Sequence, residues 1–263
     1  GNVTVNSSGG GTNITLGTGT GVGAGANITV GGNLTVAAST TGNITDNAYS
    51  TYNVFGAVNL STGSGAISLT AATGIAAPQA RFGQFNANTS GAVSLSESTT
   101  LNVGNIGNTT APSSLTLNSA TGGIVDSGNI TLAAGGTGTF TVNATNAIVL
   151  DGTNNSIPIL NVIGGNNNSV TALAGDVVLG YSSSVNGNLT VGTASGKNIS
   201  IGQAAGTLTT GNLVINSGGW IDVAGVTVVN GNLTLNATGN IASASTLTST
   251  GVTFGSLYAA NGT

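Results

Sequence analysis

Along most of the chain, two aliphatic residues flank a single Thr, Ser or Asn, and Gly or Asn brackets the unit. The unit appears as NVTV at the start, NITL (13–16), NITV (27–30), NLTV (33–36), AVNL (57–60), AISL (66–69) and AVSL (92–95). It continues as SLTL (114–117), NITL (129–132), TFTV (139–142), AIVL (147–150), DVVL (176–179) and NLTV (188–191). NISI (198–201), NLVI (212–215), WIDV (220–223) and NLTL (232–235) complete the series. Alternation with a period of two places both aliphatic side chains on one face of a strand and the polar one on the other. No segment carries sustained helical periodicity, and Gly, Asn, Ser and Thr fill the gaps as turn residues do. The pattern predicts an all-β chain. In NLTL it points Leu233 and Leu235 inward and Thr234 outward.

Spacing narrows the architecture. Strand starts follow one another at short, irregular intervals, while the larger word recurs as GNLTV at 187, GNLVI at 211 and GNLTL at 231. Ten scattered aromatics supply neither a sandwich core nor the girdles of a transmembrane barrel. A hexapeptide period holds only around 221, 227 and 233, too briefly for a left-handed hexapeptide helix. What remains is a right-handed parallel β-helix, or β-solenoid, of roughly 20–25 residues per coil, with two or three short strands in each. Stacking at the strand spacing of about 4.8 Å sets like on like: aliphatics inside, Thr and Asn ladders outside, Gly at the corners. TAPSSL (110–115) and GGNNNS (164–169) read as loops bulging from corners. Residues 1–263 read as one continuous solenoid, a segment of a longer exported protein.

Composition fits a stacked rod and removes several functions. Charged residues make up 3% of the chain, against about 25% in an average protein. Like charges repeated every coil would repel along the stack. Asn (34) and Ser plus Thr (68) must solvate the surface instead. Arg81 and Lys197 are the only basic residues, which argues against nucleic acid or an anionic membrane as partner. Cys is absent, so there is no disulfide framework and no thiolate metal site. No apolar run approaches the length of a membrane helix, and the segment is expected to insert in no membrane.

The strings GNLTVAASTTGNITD, GNITLAAGGTGTFTVNATNAIVLDG and GNLTLNATGNIASASTLTSTGVTFGS resemble filamentous haemagglutinin-type repeats, found in two-partner-secretion adhesins and autotransporter passengers. The resemblance covers most of the chain and is weakest over 71–90 and 154–170. It implies a right-handed β-helix in a large exported bacterial surface protein, with a role in adhesion or display. It carries over no catalytic residue.

Candidate chemistry is sparse. The acids are Asp46, Glu97, Asp126, Asp151, Asp176 and Asp222. Asp126, Asp151 and Asp176 are evenly spaced, but Asp176 precedes its apolar triplet where the others follow theirs, so it faces differently. They read as isolated turn or surface acids, not as the carboxylate pair of a carbohydrate-active enzyme or a calcium site. No catalytic residue, cofactor or metal is expected. Eighteen Asn-x-Ser/Thr triplets, about twice the random number, make Asn33, Asn188, Asn198, Asn232 and Asn236 candidate glycosylation sites. The strand pattern explains the same triplets as corner Asn, inward aliphatic and outward Thr. Lys197 is a candidate for an isopeptide crosslink to an Asn, a reaction that needs a nearby buried acid, and Asp176 and Asp222 are the nearest in sequence. Trp220, Tyr49 and Tyr52 are candidate sugar-stacking aromatics, against a bland role in corner packing. Thr-x-Thr pairs at 18–20 and 207–209 are too sporadic to match ice. These features lead to a non-enzymatic surface protein, the rod-like stalk of a bacterial adhesin. The alternative is a self-assembling fibre, sheath or surface-layer subunit. Its partners would be host or neighbouring-cell surface molecules or other copies of itself, and its location extracellular.

Overall fold

The computed structural model describes residues 1–17, 27–47, 50–70, 80–180, 183–185, 187–202, 207–243 and 247–254. These residues form a β-solenoid. Every strand pairing among them is parallel, and none of them lies in a helix. The chain divides into two compact units, Gly1–Ala133 and Ala134–Thr263.

In the first unit one stack runs Val3–Asn6, Leu34–Ala37, Thr51–Ser61, Ala80–Asn88, Leu101–Ile106, Ile124–Asp126. A second runs Ile14–Leu16, Ile44–Asp46, Ile67–Leu69, Ala92–Glu97, Ser114–Ser119. Like sits on like: Ile44 pairs with Ile67, Ile67 with Val93 and Val93 with Leu115, and all four are at most 1% exposed. In the second unit the corresponding stacks are Ile148–Leu150, Asn167–Leu173, Asn188–Thr193, Leu213–Ser217, Val226–Ala237, and Thr139–Ala144, Ile159–Gly164, Val177–Leu179, Ile199–Ile201, Ile221–Val223, Ile241–Ser243. Leu189, Leu213 and Leu233 form one of its buried columns. Leu233 and Leu235 are buried and Thr234 is half-buried on the outer face, as the alternation predicts. Burying one such aliphatic contributes about 1.5–3 kcal/mol, so the repeated columns supply the core that sparse aromatics do not.

The coil length varies more than the repeat words suggest. Pairings in the second unit join Thr139 to Ile159, Ile159 to Val178, Val177 to Ile199, Ile199 to Ile221 and Ile221 to Ile241, and successive steps there are close to one another. The first unit is less even. Its column Ile14, Ile44, Ile67, Val93 and Leu115 opens with its longest step, from Ile14 to Ile44. That step accommodates an additional strand, Asn27–Val30, which pairs with Thr51–Val54.

Two sequence expectations change. NITL at 129–132 forms only an isolated bridge, Ile106 to Ile130, instead of a strand. The second half of GGNNNS, read as a loop, is the start of the strand Asn167–Leu173. Asn166 stays an exposed bend residue, but the two asparagines that follow it bond along the stack or to its corner. Asn168 is buried, its Oδ1 accepting from the Ile148 N–H at 3.0 Å and its Nδ2 donating to the Gly164 carbonyl at 3.0 Å. Asn167 Oδ1 accepts from Asn188 Nδ2 at 2.9 Å. Amides that bond along the stack replace the solvation a strand would deny them.

Candidate functional site

Several of the corners that precede strands repeat one device. The Ile14 N–H donates up to the Asn43 carbonyl at 2.8 Å, and the Asn43 N–H donates back to Asn13 Oδ1 at 2.8 Å. One coil on, the Ile44 N–H donates to the Ala66 carbonyl (2.9 Å) and the Ala66 N–H to Asn43 Oδ1 (2.7 Å). The first stack does the same at Val3 and Asn33: the Val3 N–H reaches the Asn33 carbonyl (2.9 Å) and the Asn33 N–H reaches Asn2 Oδ1 (2.9 Å). A side-chain oxygen thus takes the N–H that the turning backbone leaves without a ladder partner. The preceding Gly clears the path. A Cβ on Gly65 would stand 2.0 Å from the Gly42 carbonyl oxygen, and one on Gly218 would stand 1.9 Å from that of Ala194. Inside the corner a hydroxyl closes the turn, with Thr62 Oγ1 on the Gly42 carbonyl (2.7 Å) and Thr89 Oγ1 on that of Gly65 (2.6 Å).

Asn33, Asn188, Asn198 and Asn232 each directly precede an inward aliphatic in these columns, whereas Asn236 follows one, near the end of the strand Val226–Ala237. Asn33, Asn188 and Asn232 are exposed, Asn198 and Asn236 half-buried. Asn33 Oδ1 accepts from the Ala57 N–H (2.9 Å), and the Asn232 N–H donates to Asn212 Oδ1 (2.7 Å). Asn188 Oδ1 accepts from Asn212 Nδ2 (2.7 Å), and Asn236 Nδ2 donates to Asn216 Oδ1 (2.8 Å). Except at Asn236, the Asn-x-Ser/Thr word is therefore a structural unit of the corner.

The acids are dispersed. Asp126 ends a first-stack strand of its unit and Asp151 follows one of its own, whereas Asp176 precedes a second-stack strand. Among the described residues no three acids gather into a set that would hold a metal ion. Glu97, which the sequence singled out for no role, is 1% exposed. Its Oε1 accepts from the Phe82 N–H (3.1 Å) and Thr99 Oγ1 (3.1 Å), while Oε2 is buried with no partner among the described residues. Burial pushes the carboxyl up from 4.5 to about 7, against the pull of those two hydrogen bonds and of Arg81.

Asp176 and Asp222 do not supply the buried acid that a Lys197–Asn crosslink needs, because Asp176 is exposed and Asp222 half-buried. Tyr52 is corrected to a core residue. It is 1% exposed, its ring centroid is 6.0 Å from that of Phe82, and its hydroxyl donates to the Leu16 carbonyl at 3.3 Å. Burial, with Asp46 adding to it, holds its phenol above the ordinary range. Tyr49 and Thr18–Thr20 lie outside the described residues.

Trp220 is different: it is 44% exposed. It lines a surface groove of about 470 Å³ within the second unit, together with Pro158, Asp176, Val178, Asn198 and Ser200. Sequence reading named Trp220 and Asp176 separately and missed Asn198 and Ser200 as their neighbours. The signal was there, since Asp176, Asn198 and Trp220 each precede a second-stack strand, and Val177, Ile199 and Ile221 pair in register. In comparisons with family models, curated proteins and solved structures, nothing matches this chain.

Proposed function

We propose that this chain is a non-enzymatic scaffold of a bacterial cell surface, a stalk segment of an adhesin that acts outside the cell. One observation carries the reading. At the corners a side-chain oxygen is spent on a bond from coil to coil, as in the Asn13–Asn43–Ala66 column, and so serves the stack instead of a reaction. The resemblance of GNLTV and GNLTL to filamentous haemagglutinin-type repeats supports the same role. A surface of neutral amides and hydroxyls offers trypsin-like proteases only Arg81 and Lys197, which suits exposure.

Electron microscopy of the purified chain tests the stalk against a polymer. Separate single-chain particles at all concentrations are the expected result. Filaments or sheets many chains long would replace the stalk with a self-assembling fibre or surface-layer subunit.

A further inference from the structure

We propose that the groove at Trp220 binds a neutral saccharide. In the second unit, Asp176, Asn198, Trp220 and Asn240 occupy the same corner position, each directly before a strand of the second stack. The column of acceptors runs normally at first: the Asn198 N–H donates to Asp176 Oδ1 (2.8 Å) and the Trp220 N–H to Asn198 Oδ1 (3.0 Å). It stops at Trp220, because an indole has a donor and no acceptor. The acceptor column therefore gains nothing from Trp at this corner, where an Asn would pass it on. It also leaves a large aromatic side chain 44% exposed.

The groove's polar groups suit hydroxyls. Asp176 Oδ2, Asn198 Nδ2 and Ser200 Oγ take no protein hydrogen bond among the described residues. They offer an acceptor, a donor and a group that does both, next to an aromatic side chain. A pyranose presents both donors and acceptors around an apolar C–H face, and it matches that set. A quaternary ammonium would engage the indole and the carboxylate but leave the amide and hydroxyl unused. A nucleic acid strand would set its phosphates against Asp176. At about 470 Å³ the groove lies within the ~300–1,000 Å³ of ordinary ligand sites. The depression over Asn59, Asn86 and Asn105 lacks this character, since Asn86 Nδ2 donates to Asn59 Oδ1 (3.0 Å) and Asn86 Oδ1 accepts from the Asn105 N–H (2.7 Å).

The inference deepens the adhesive reading by naming a class of partner, and it rests on that reading. Its test is separate from surface display, so either can fail alone. Trp220 is the sole tryptophan of the chain, so its fluorescence reports the groove directly. Cellopentaose, maltopentaose and chitopentaose are titrated into the intact chain, with tetramethylammonium and an oligothymidylate alongside. At least one saccharide should shift the emission to the blue and protect it from acrylamide, saturably. Calorimetry should then show about tenfold weaker binding of that saccharide to Trp220→Ala and to Asp176→Asn. The second variant keeps the Oδ1 acceptor of the column and so keeps the corner. No response to any saccharide overturns the proposal. So does a saturable response to the ammonium or the oligonucleotide alone, or unweakened binding in Trp220→Ala.

Discussion

Glu97 is the residue whose titration reaches the stability of the fold. Its carboxyl is neutral in the folded chain up to about pH 7, whereas the unfolded chain ionises near 4.5. Between those values the unfolded state binds fewer protons, so stability falls as pH rises from 4.5 to 7 and this group changes it no further above that. The loss amounts to about 3 kcal/mol. Glu97→Gln keeps an oxygen for the Phe82 N–H and Thr99 Oγ1 and never ionises. The variant should match the parent near pH 4 and exceed it by about 1–3 kcal/mol at about pH 8, read from denaturant midpoints at the two values. An unchanged pH slope would show that Glu97 is ionised in the folded state. Residue type alone argues against burying Glu97. The SLSE run gives the alternation, and the inward slot taken by Glu97 is also that of Ser119 in the next coil, a polar residue in both cases.

At the scale of elements, the Gly-Asn-aliphatic-Thr word is a corner followed by a strand, and each of its letters has a physical task. Asn supplies an acceptor to the next coil, Gly admits the neighbouring carbonyl, the aliphatic residue enters the core and Thr faces out. An acceptor at the corner is what matters, because Asp176 takes the Asn198 N–H as an asparagine would. Accordingly Asn43→Ala, which strips the Ala66 N–H of its partner, should cost about 0.5–1.5 kcal/mol in a denaturant melt. Asn43→Asp should cost clearly less. Equal losses would mean that the column does not bear on stability. The strands of this pattern were legible, from NITV at 27–30 to NLTL at 232–235. Ala80–Asn88, Leu101–Ile106 and Asn167–Leu173 were not, since Gln84, Asn86, Asn102 and Asn168 look like turn residues in one dimension. They lie in strands because their amides bond along the stack, as Asn86 does to Asn59. That interaction exists only once the coils are aligned.

For the whole molecule, the β-solenoid class followed from two features visible in the sequence, a period of two within strands and the longer recurrence of the GNL word at 187, 211 and 231. The pairing register makes the step from coil to coil uneven, and the longest, Ile14 to Ile44, needed an extra strand that the repeat words do not announce. The candidate site was half legible. Trp220 and Asp176 stood out as rare residues, but their meeting with Asn198 and Ser200 depends on the register of three coils. Tyr52 was equally rare and turned inward, because its strand position alternates with the exposed Phe55 and its ring meets Phe82. Function depends on where the chain is displayed. Antibodies raised against residues 1–263 and applied to intact, unpermeabilised source cells measure that directly. The account predicts surface labelling that brief protease treatment of whole cells removes. Labelling that appears only after permeabilisation would contradict it.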